Sequence, residues 1–384
     1  MYNRFKASKK FINEVLLNEF RTSKNKIYNK KLTKLFCEKI GVKFGIPLNS
    51  GTSGLHTALL ALNLKKNDEV IMPAITMSAV AYSIILAGAK PIFVDIDIKS
   101  LNLDPEDLKK KINKKTKAII CVSLFGLPVN YQVIKNIIKK KRQKIFLIED
   151  NAECMMGKFK KKIAGSFGDY SMFSFQSSKV LTCGEGGMLV TNSKELLEKA
   201  KLSSNLGYKT RDDSYGVLRK KLQKTDFNRH IAVGYNYRLS EINAATVYGQ
   251  LLNVNKIVKK RIYNANKFNK IIQKYKFVKS QEFSKDFVHG YWAYPIIFKN
   301  KKLLNIFNDL FIKYGGDYYY GCWKIPYNET FFQNLKIKYN KCLKAEDVQK
   351  RLIQMKTNYE IKKDLNKQVK ILDKTLKEIK NKYL

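Results

Sequence analysis

Three observations predict an α/β fold on a mostly parallel sheet, followed by a smaller α+β unit. Short apolar runs of strand length alternate with helical stretches from about residue 42 to about residue 207, the pattern of strands joined by crossover helices. Beyond residue 255, helices and strands mix without that alternation. The length of 384 residues suits two units. The boundary is placed near residue 255, giving a large unit over 1–255 with an N-terminal helical segment and a small unit over 256–384.

Taken in order, residues 1–36 read as helical, with clearest apolar spacing over 11–20. A strand-like stretch at 42–49 leads into a turn and a helix at 50–64, which Ser50 or Thr52 can cap. Residues 69–97 read strand, loop, helix, strand. The segment 103–112 is a helix with Pro105 in its first turn. A buried strand at 117–126, a helix at 131–141 and a strand at 144–150 follow. Two apolar strands, 171–175 and 188–191, flank a polar turn and the glycines Gly184, Gly186 and Gly187, which let the chain turn tightly. A helix occupies 194–207, and 208–230 is polar and irregular. Residues 230–275 begin as a loop and become one long helix or two. In the remainder, 303–315, 345–355 and 365–382 read as helices and 291–299 as a strand. The apolar spacing of Val369, Leu372, Leu376 and Ile379 is read as packing.

Composition narrows the function classes. No apolar run is long enough to span a membrane, and the lysine-studded N-terminus has no signal-peptide core. The six cysteines show neither CxxC pairing nor zinc spacing, so reduced thiols, a cytoplasmic setting and no metal site are expected. The net charge of +42 would suit nucleic acid or an anionic surface. The lysines, however, are spread along the whole chain beside abundant Asn, Ile and Tyr, and no nucleic-acid motif appears. No nucleic-acid partner is therefore expected, although the charge can steer a phosphorylated substrate.

The stretch 168–192 carries the strongest chemical signal. Lys179 lies between two apolar strands, where poor hydration makes an amine a candidate nucleophile. Asp150 ends the strand before it. A lysine paired with such an acid suggests pyridoxal phosphate: the lysine binds the cofactor covalently and the acid keeps the pyridine nitrogen protonated. Upstream, 50–53 reads Ser-Gly-Thr-Ser at a helix start, either an ordinary cap or an anion site built from backbone N–H groups and hydroxyls. His56 in that helix reads as a packed or capping histidine.

These motifs, in this order, resemble the DegT/DnrJ/EryC1/StrS family of pyridoxal-phosphate sugar aminotransferases, which have the aspartate aminotransferase fold (fold type I). The match runs from about Ser50 to about Leu251, with weaker echoes to Asn358. The resemblance implies a seven-stranded, mostly parallel sheet in the large domain and a smaller α+β C-terminal domain. It implies Lys179 as the cofactor-bearing lysine and Asp150 as the partner of the ring nitrogen. Thr52, Ser53 and Ser174 would hold the phosphate, and Glu153, where many relatives carry Gln, would lie near the ring oxygen. Some relatives that are dehydratases replace the lysine with histidine; Lys179 argues against that chemistry.

Asn236, in the stretch 234–239, matches the family's GxNxR element. It would reach a neighbouring subunit's phosphate, which implies a homodimer. Arg238 could bind the donor's carboxylate or support the loop. Where relatives place an aromatic residue against the cofactor ring, this chain has Met77 after Pro73-Ala74-Ile75-Thr76; Met77 or another residue such as Tyr82 would take that place. The aromatic segment 315–329 suits either a sugar- or base-stacking loop or a domain interface, with Tyr318–Tyr320 and Trp323 as substrate candidates. The function implied is transfer of an amino group from glutamate or glutamine to a nucleotide-linked 4-keto-6-deoxyhexose for surface polysaccharide. A ketocyclitol is the alternative acceptor, and a catalytically silent regulator of the same fold is the non-enzyme alternative.

Overall fold

The computed structural model describes residues 5–18, 27–208 and 225–384. The expected N-terminal helical segment contains α1 (Lys6–Leu17) and α2 (Ile27–Ile40). The expected irregular loop over 208–230 lies mostly outside the described residues.

The strands in chain order are β1 (Phe44–Leu48), β2 (Glu69–Pro73), β3 (Lys90–Val94), β4 (Thr116–Val122), β5 (Phe146–Asp150), the two-residue β6 (Lys158–Phe159) and β7 (Lys162–Ile163), β8 (Tyr170–Ser174) and β9 (Gly187–Thr191). Seven of them form the central sheet in the order β1-β9-β8-β5-β4-β2-β3. β8, β5, β4, β2 and β3 pair in parallel, while β9 runs antiparallel to both of its neighbours. Six strands therefore share one direction and β9 opposes them. The middle strands are covered on both faces, which is why they read as unbroken apolar runs such as Ile119–Val122 instead of alternating.

Further strands are β10 (Val278–Lys279), β11 (Phe287–Val288), β12 (Ala293–Phe298), β13 (Tyr318–Gly321) and β14 (Leu352–Lys356). β10, β12, β14 and β13 build a second, antiparallel sheet, and β11 joins β6 and β7 in a third. β14 corrects the helix expected over 345–355: a short helix, Leu343–Gln349, ends first, and Leu352–Met355 is buried between β12 and β13. Helical spacing in 345–355 was genuine for its first half only. Pairing on both edges overrode it for the second. The C-terminal helix Lys362–Tyr383 buries Leu372, Leu376 and Ile379, so their spacing serves packing against the second core.

The region read as one helix or two contains two, Glu241–Leu251 and Val254–Ile272. The second joins the two main cores: Val254, Ile257 and Val258 belong to the core of the large sheet, and Ala265, Phe268, Ile271 and Ile272 to that of the second sheet. Ile262 packs against both. A polar tie fixes the helix Leu343–Gln349 to the large-sheet core, which its Ala345 and Val348 join. The Asp95 carboxylate accepts the N–H groups of Lys344 (3.0 Å) and Ala345 (2.8 Å), at the start of the helix Leu343–Gln349. Lys344 Nζ also pairs with Asp104 at 2.6 Å. Among the described residues no helix is long and apolar enough to cross a membrane.

Candidate active site

In a parallel sheet, ligand sites form outside the carboxyl ends of the strands. The register brings three chain segments abreast at that edge: Leu48 of β1 pairs with Gly187 of β9, and Gly187 with Ser174 of β8. The helix α3 (Gly51–Leu60) starts just beyond β1. The approach is close enough to require glycine. A Cβ on Gly187 would lie 2.4 Å from the carbonyl oxygen of Ser50. One on Gly51 would lie 3.3 Å from Ser174 Oγ. The Ser174 hydroxyl thus sits at the first turn of α3.

Ser50 and Ser53 close that helix start reciprocally: Ser50 Oγ accepts the Ser53 N–H at 3.0 Å, and Ser53 Oγ accepts the Ser50 N–H at 3.1 Å. The buried Ser53 hydroxyl is therefore committed to its own helix, whereas Thr52 is exposed. The backbone N–H groups of Gly51 and Thr52, which find no carbonyl within the helix, and the Thr52 and Ser174 hydroxyls could cradle an anion at this end.

Lys179 lies in the loop from β8 to β9, in a turn closed by its N–H to the Gln176 carbonyl at 2.9 Å. Its Nζ is 3.6 Å from Glu153 Oε1 and 4.2 Å from the centroid of the Trp292 ring. Both contacts attract a cation. Glu153 is buried and its Oε2 accepts the Phe125 N–H at 2.8 Å. Phe125 takes a left-handed conformation, φ 58°. Asp150, at the end of β5, is buried, and its Oδ1 accepts the Ala152 N–H at 3.0 Å.

The two buried carboxyls are harder to ionise than in water. Burial raises Glu153 to about 7, against the opposing pull of the Lys179 charge and the Phe125 N–H. Burial raises Asp150 to about 6, opposed by the Ala152 N–H and by Lys179. At neutral pH Glu153 can therefore exchange a proton, while Asp150 carries its charge. The Glu153 shift has a consequence for stability. A folded-state value raised from 4.5 to about 7 costs nothing below pH about 4.5 and its full amount, roughly 3 kcal/mol, above pH about 7. Glu153→Gln is expected to remove that slope. Thermal midpoints of the cofactor-free chain should show the variant gaining on the wild type as pH rises from 4.5 to 7.

Met77 is 56% exposed, and Tyr82 packs on Phe331 with ring centroids 4.4 Å apart. Asn236 is exposed; its Oδ1 accepts from Arg238 Nε at 2.9 Å, and backbone bridges set the segment beside Asn205 and Leu48. That contact engages only Nε of Arg238, whose side chain is otherwise exposed. His56 is buried and bonds the Tyr237 hydroxyl at 2.9 Å, as a packed histidine does. Trp323 stacks on both Phe125 and Trp292, with centroids 5.7 and 6.2 Å apart. Cys154 is a buried packing residue, and all six cysteines are unpaired.

Sequence reasoning missed Trp292 and Phe125. Trp292 reads as part of an apolar strand, and nothing in its spacing points to a lysine in another sheet's loop. The one available signal was its rarity, as one of two tryptophans in the chain.

The model of the DegT/DnrJ/EryC1/StrS aminotransferase family matches residues 6–371. The chain belongs to this family, and it is an aminotransferase. The GDP-perosamine synthase of Escherichia coli O157:H7 is 36% identical over 289 residues, covering 75% of this chain and 74% of that protein. The UDP-4-amino-4,6-dideoxy-N-acetyl-beta-L-altrosamine transaminase of Campylobacter jejuni is 33% identical over 292 residues, covering 74% and 72%. Among solved structures, PseC of Helicobacter pylori, an aminotransferase involved in the biosynthesis of pseudoaminic acid, superposes with a TM-score of 0.84 at 26% identity, covering 97% of each chain. An aminotransferase from Psychrobacter cryohalolentis gives 0.86 at 25% identity, covering 99% of this chain and 98% of that one.

Proposed function

We propose that this chain moves an amino group from glutamate (or glutamine) to a nucleotide-linked 4-keto-6-deoxyhexose, with pyridoxal phosphate as cofactor. The observation that carries the chemistry is Lys179 Nζ, 3.6 Å from a carboxyl of raised pKa, at the strand ends where Asp150 and the α3 cradle converge. The acceptor reading draws support from the relatives named as GDP-perosamine synthases and as a UDP-amino-sugar transaminase.

The residues fit the cofactor. Lys179 would carry it, Asp150 would face its ring nitrogen, Glu153 its ring oxygen, and Thr52, Ser174 and the α3 N–H groups its phosphate. Ser53 would contribute through the helix start that it closes. When bound, pyridoxal phosphate holds the amino group between donor and acceptor and draws electrons from the carbon that loses its proton. This chain's part is to move protons and fix charge. Lys179 Nζ would take a proton from the donor carbon and give it up again within the first half of the reaction, and would deliver one to the acceptor carbon in the second. Glu153 Oε1, 3.6 Å from that amine, would set the charge that the amine faces. Asp150 supplies a fixed negative charge to a protonated ring nitrogen.

The enzyme works as a homodimer, with Asn236 completing the partner's phosphate site. Support comes from the exposed apolar side chains that flank it: Ile231, Val233 and Tyr235 are 50%, 97% and 44% exposed. Mixing Lys179→Ala chains with Asn236→Ala chains should then restore activity to about a quarter of wild type. Half of randomly re-formed dimers are mixed, and each carries one intact site. No restoration would place Asn236 outside the shared site.

The spectrum of the purified protein tests the whole reading. A visible band of lysine-bound cofactor, bleached by glutamate and restored by a keto sugar, is expected; GDP- and UDP-linked 4-keto-6-deoxyhexoses and a ketocyclitol can be compared by which restores it. No band after supplying pyridoxal phosphate to folded protein would overturn the reading.

A further inference from the structure

We propose that Trp292 is a positioning residue for Lys179: it fixes both the loop that carries the lysine and the place where its free amine rests. The inference builds on the reading of Lys179 as the cofactor-bearing lysine.

Two contacts from one side chain carry it. The indole Nε1–H donates to the carbonyl of Ser178, the residue before Lys179, at 2.9 Å. The ring lies 4.2 Å from Lys179 Nζ. The first holds the backbone at the root of the lysine; the second gives the far end of a long, flexible side chain a preferred position. Trp292 is itself well fixed. It is 4% exposed, and its carbonyl accepts from Arg261 Nη1 at 2.9 Å and Thr357 Oγ1 at 3.0 Å.

The contacts form a closed circuit. Trp292 stacks on Trp323, and Trp323 on Phe125, with interplanar angles of 13° and 11°. The Phe125 N–H holds Glu153 Oε2, and Glu153 Oε1 faces Lys179 Nζ. Lys179, Glu153 and Phe125 come from the loops of the large sheet. Trp292 precedes β12 and Trp323 follows β13, both in the second sheet. The amine's position is therefore set jointly by the two units, and a shift of the second sheet would move the surface on which it rests. Tryptophan alone supplies both contacts: phenylalanine keeps a ring face without the N–H, and leucine keeps neither.

The test uses the full chain supplied with pyridoxal phosphate, then reduced with borohydride to fix the cofactor on its lysine, with Lys179 identified by peptide mass. Trp292→Leu is expected to slow fixation at Lys179 by about tenfold and to lower kcat by about ten- to a hundredfold, with KM changed less than about threefold. Trp292→Phe should recover part of both losses, which a general loss of packing would not produce. Fixation and kcat within about twofold of wild type in Trp292→Leu would overturn the proposal. If the wild-type chain itself is not fixed at Lys179, the cofactor reading fails and the proposal falls with it.

Should both variants unfold, fluorescence decides. The chain has two tryptophans, so Trp323→Phe leaves Trp292 as the sole indole emitter. Adding Lys179→Met should change its emission maximum and intensity, because an amine has been removed from its ring. Identical emission with and without the lysine would overturn the proposal.

Discussion

Lys179→Ala is expected to lower amino-transfer turnover by about 10^4-fold or more, the largest effect of any single substitution. In the proposed function the residue serves as attachment point and as proton carrier, and a positioned proton carrier alone is worth about 10^2- to 10^4-fold. Both roles need a nitrogen that can lose its proton. Lys179→Arg is therefore expected to be as inactive as alanine, since a guanidinium keeps its charge throughout. The two variants should differ in stability instead. Lys179 lowers the pKa of Glu153, against the effect of burial. Alanine leaves that buried carboxyl without its cation, so its pKa rises further and the cost of ionising it above neutral pH grows. Arginine supplies a replacement charge. Single-turnover assays should find both variants silent, while thermal midpoints at pH 8 should place the alanine variant below the arginine variant. Turnover by either variant within a hundredfold of wild type would remove Lys179 from the chemistry.

The sequence disclosed what local pattern encodes. Asp150 was legible because an acid ending an apolar strand must emerge at the carboxyl edge of a parallel sheet, and Lys179 because two apolar strands bracket it. The glycines of 184–187 were legible as turn-formers, but the closeness that demands Gly187 was not: it depends on the Ser50 carbonyl lying 2.4 Å from where a Cβ would be. The helix expected over 345–355 failed at β14, where pairing with β12 and β13 outweighs spacing. Trp292 was illegible for a related reason. Its partners are Ser178, Lys179 and Trp323, none of them near it in the chain. Periodicity tells which face of an element is buried and is silent on what lies opposite. The start of α3 stood between these cases. Its motif could be read, yet only the structure separates Ser53, whose hydroxyl closes the helix, from Thr52, which is left exposed.

Asp150→Asn is expected to lower kcat by about 10^2- to 10^3-fold while the band of lysine-bound cofactor persists. Asparagine keeps the shape and the acceptor oxygen for the Ala152 N–H but loses the charge, so the variant isolates electrostatics from packing. A fixed charge in a buried site is poorly screened and needs no reorganisation during reaction, which is why removing such a group typically costs about 10^2- to 10^3-fold. The pH dependence of stability provides an independent check. In the cofactor-free chain burial raises Asp150 from 3.8 to about 6. A raised carboxyl disfavours the fold only when ionised, so the cofactor-free wild type should lose stability as pH rises from about 4 to about 6, and the asparagine variant should not. Binding reverses that cost, because a protonated ring nitrogen beside Asp150 gives the buried charge its partner. Pyridoxal phosphate should therefore stabilise the wild type more than the variant at pH 8, as read from the rise in thermal midpoint on loading. Equal rises in both would assign Asp150 to packing instead of to the cofactor.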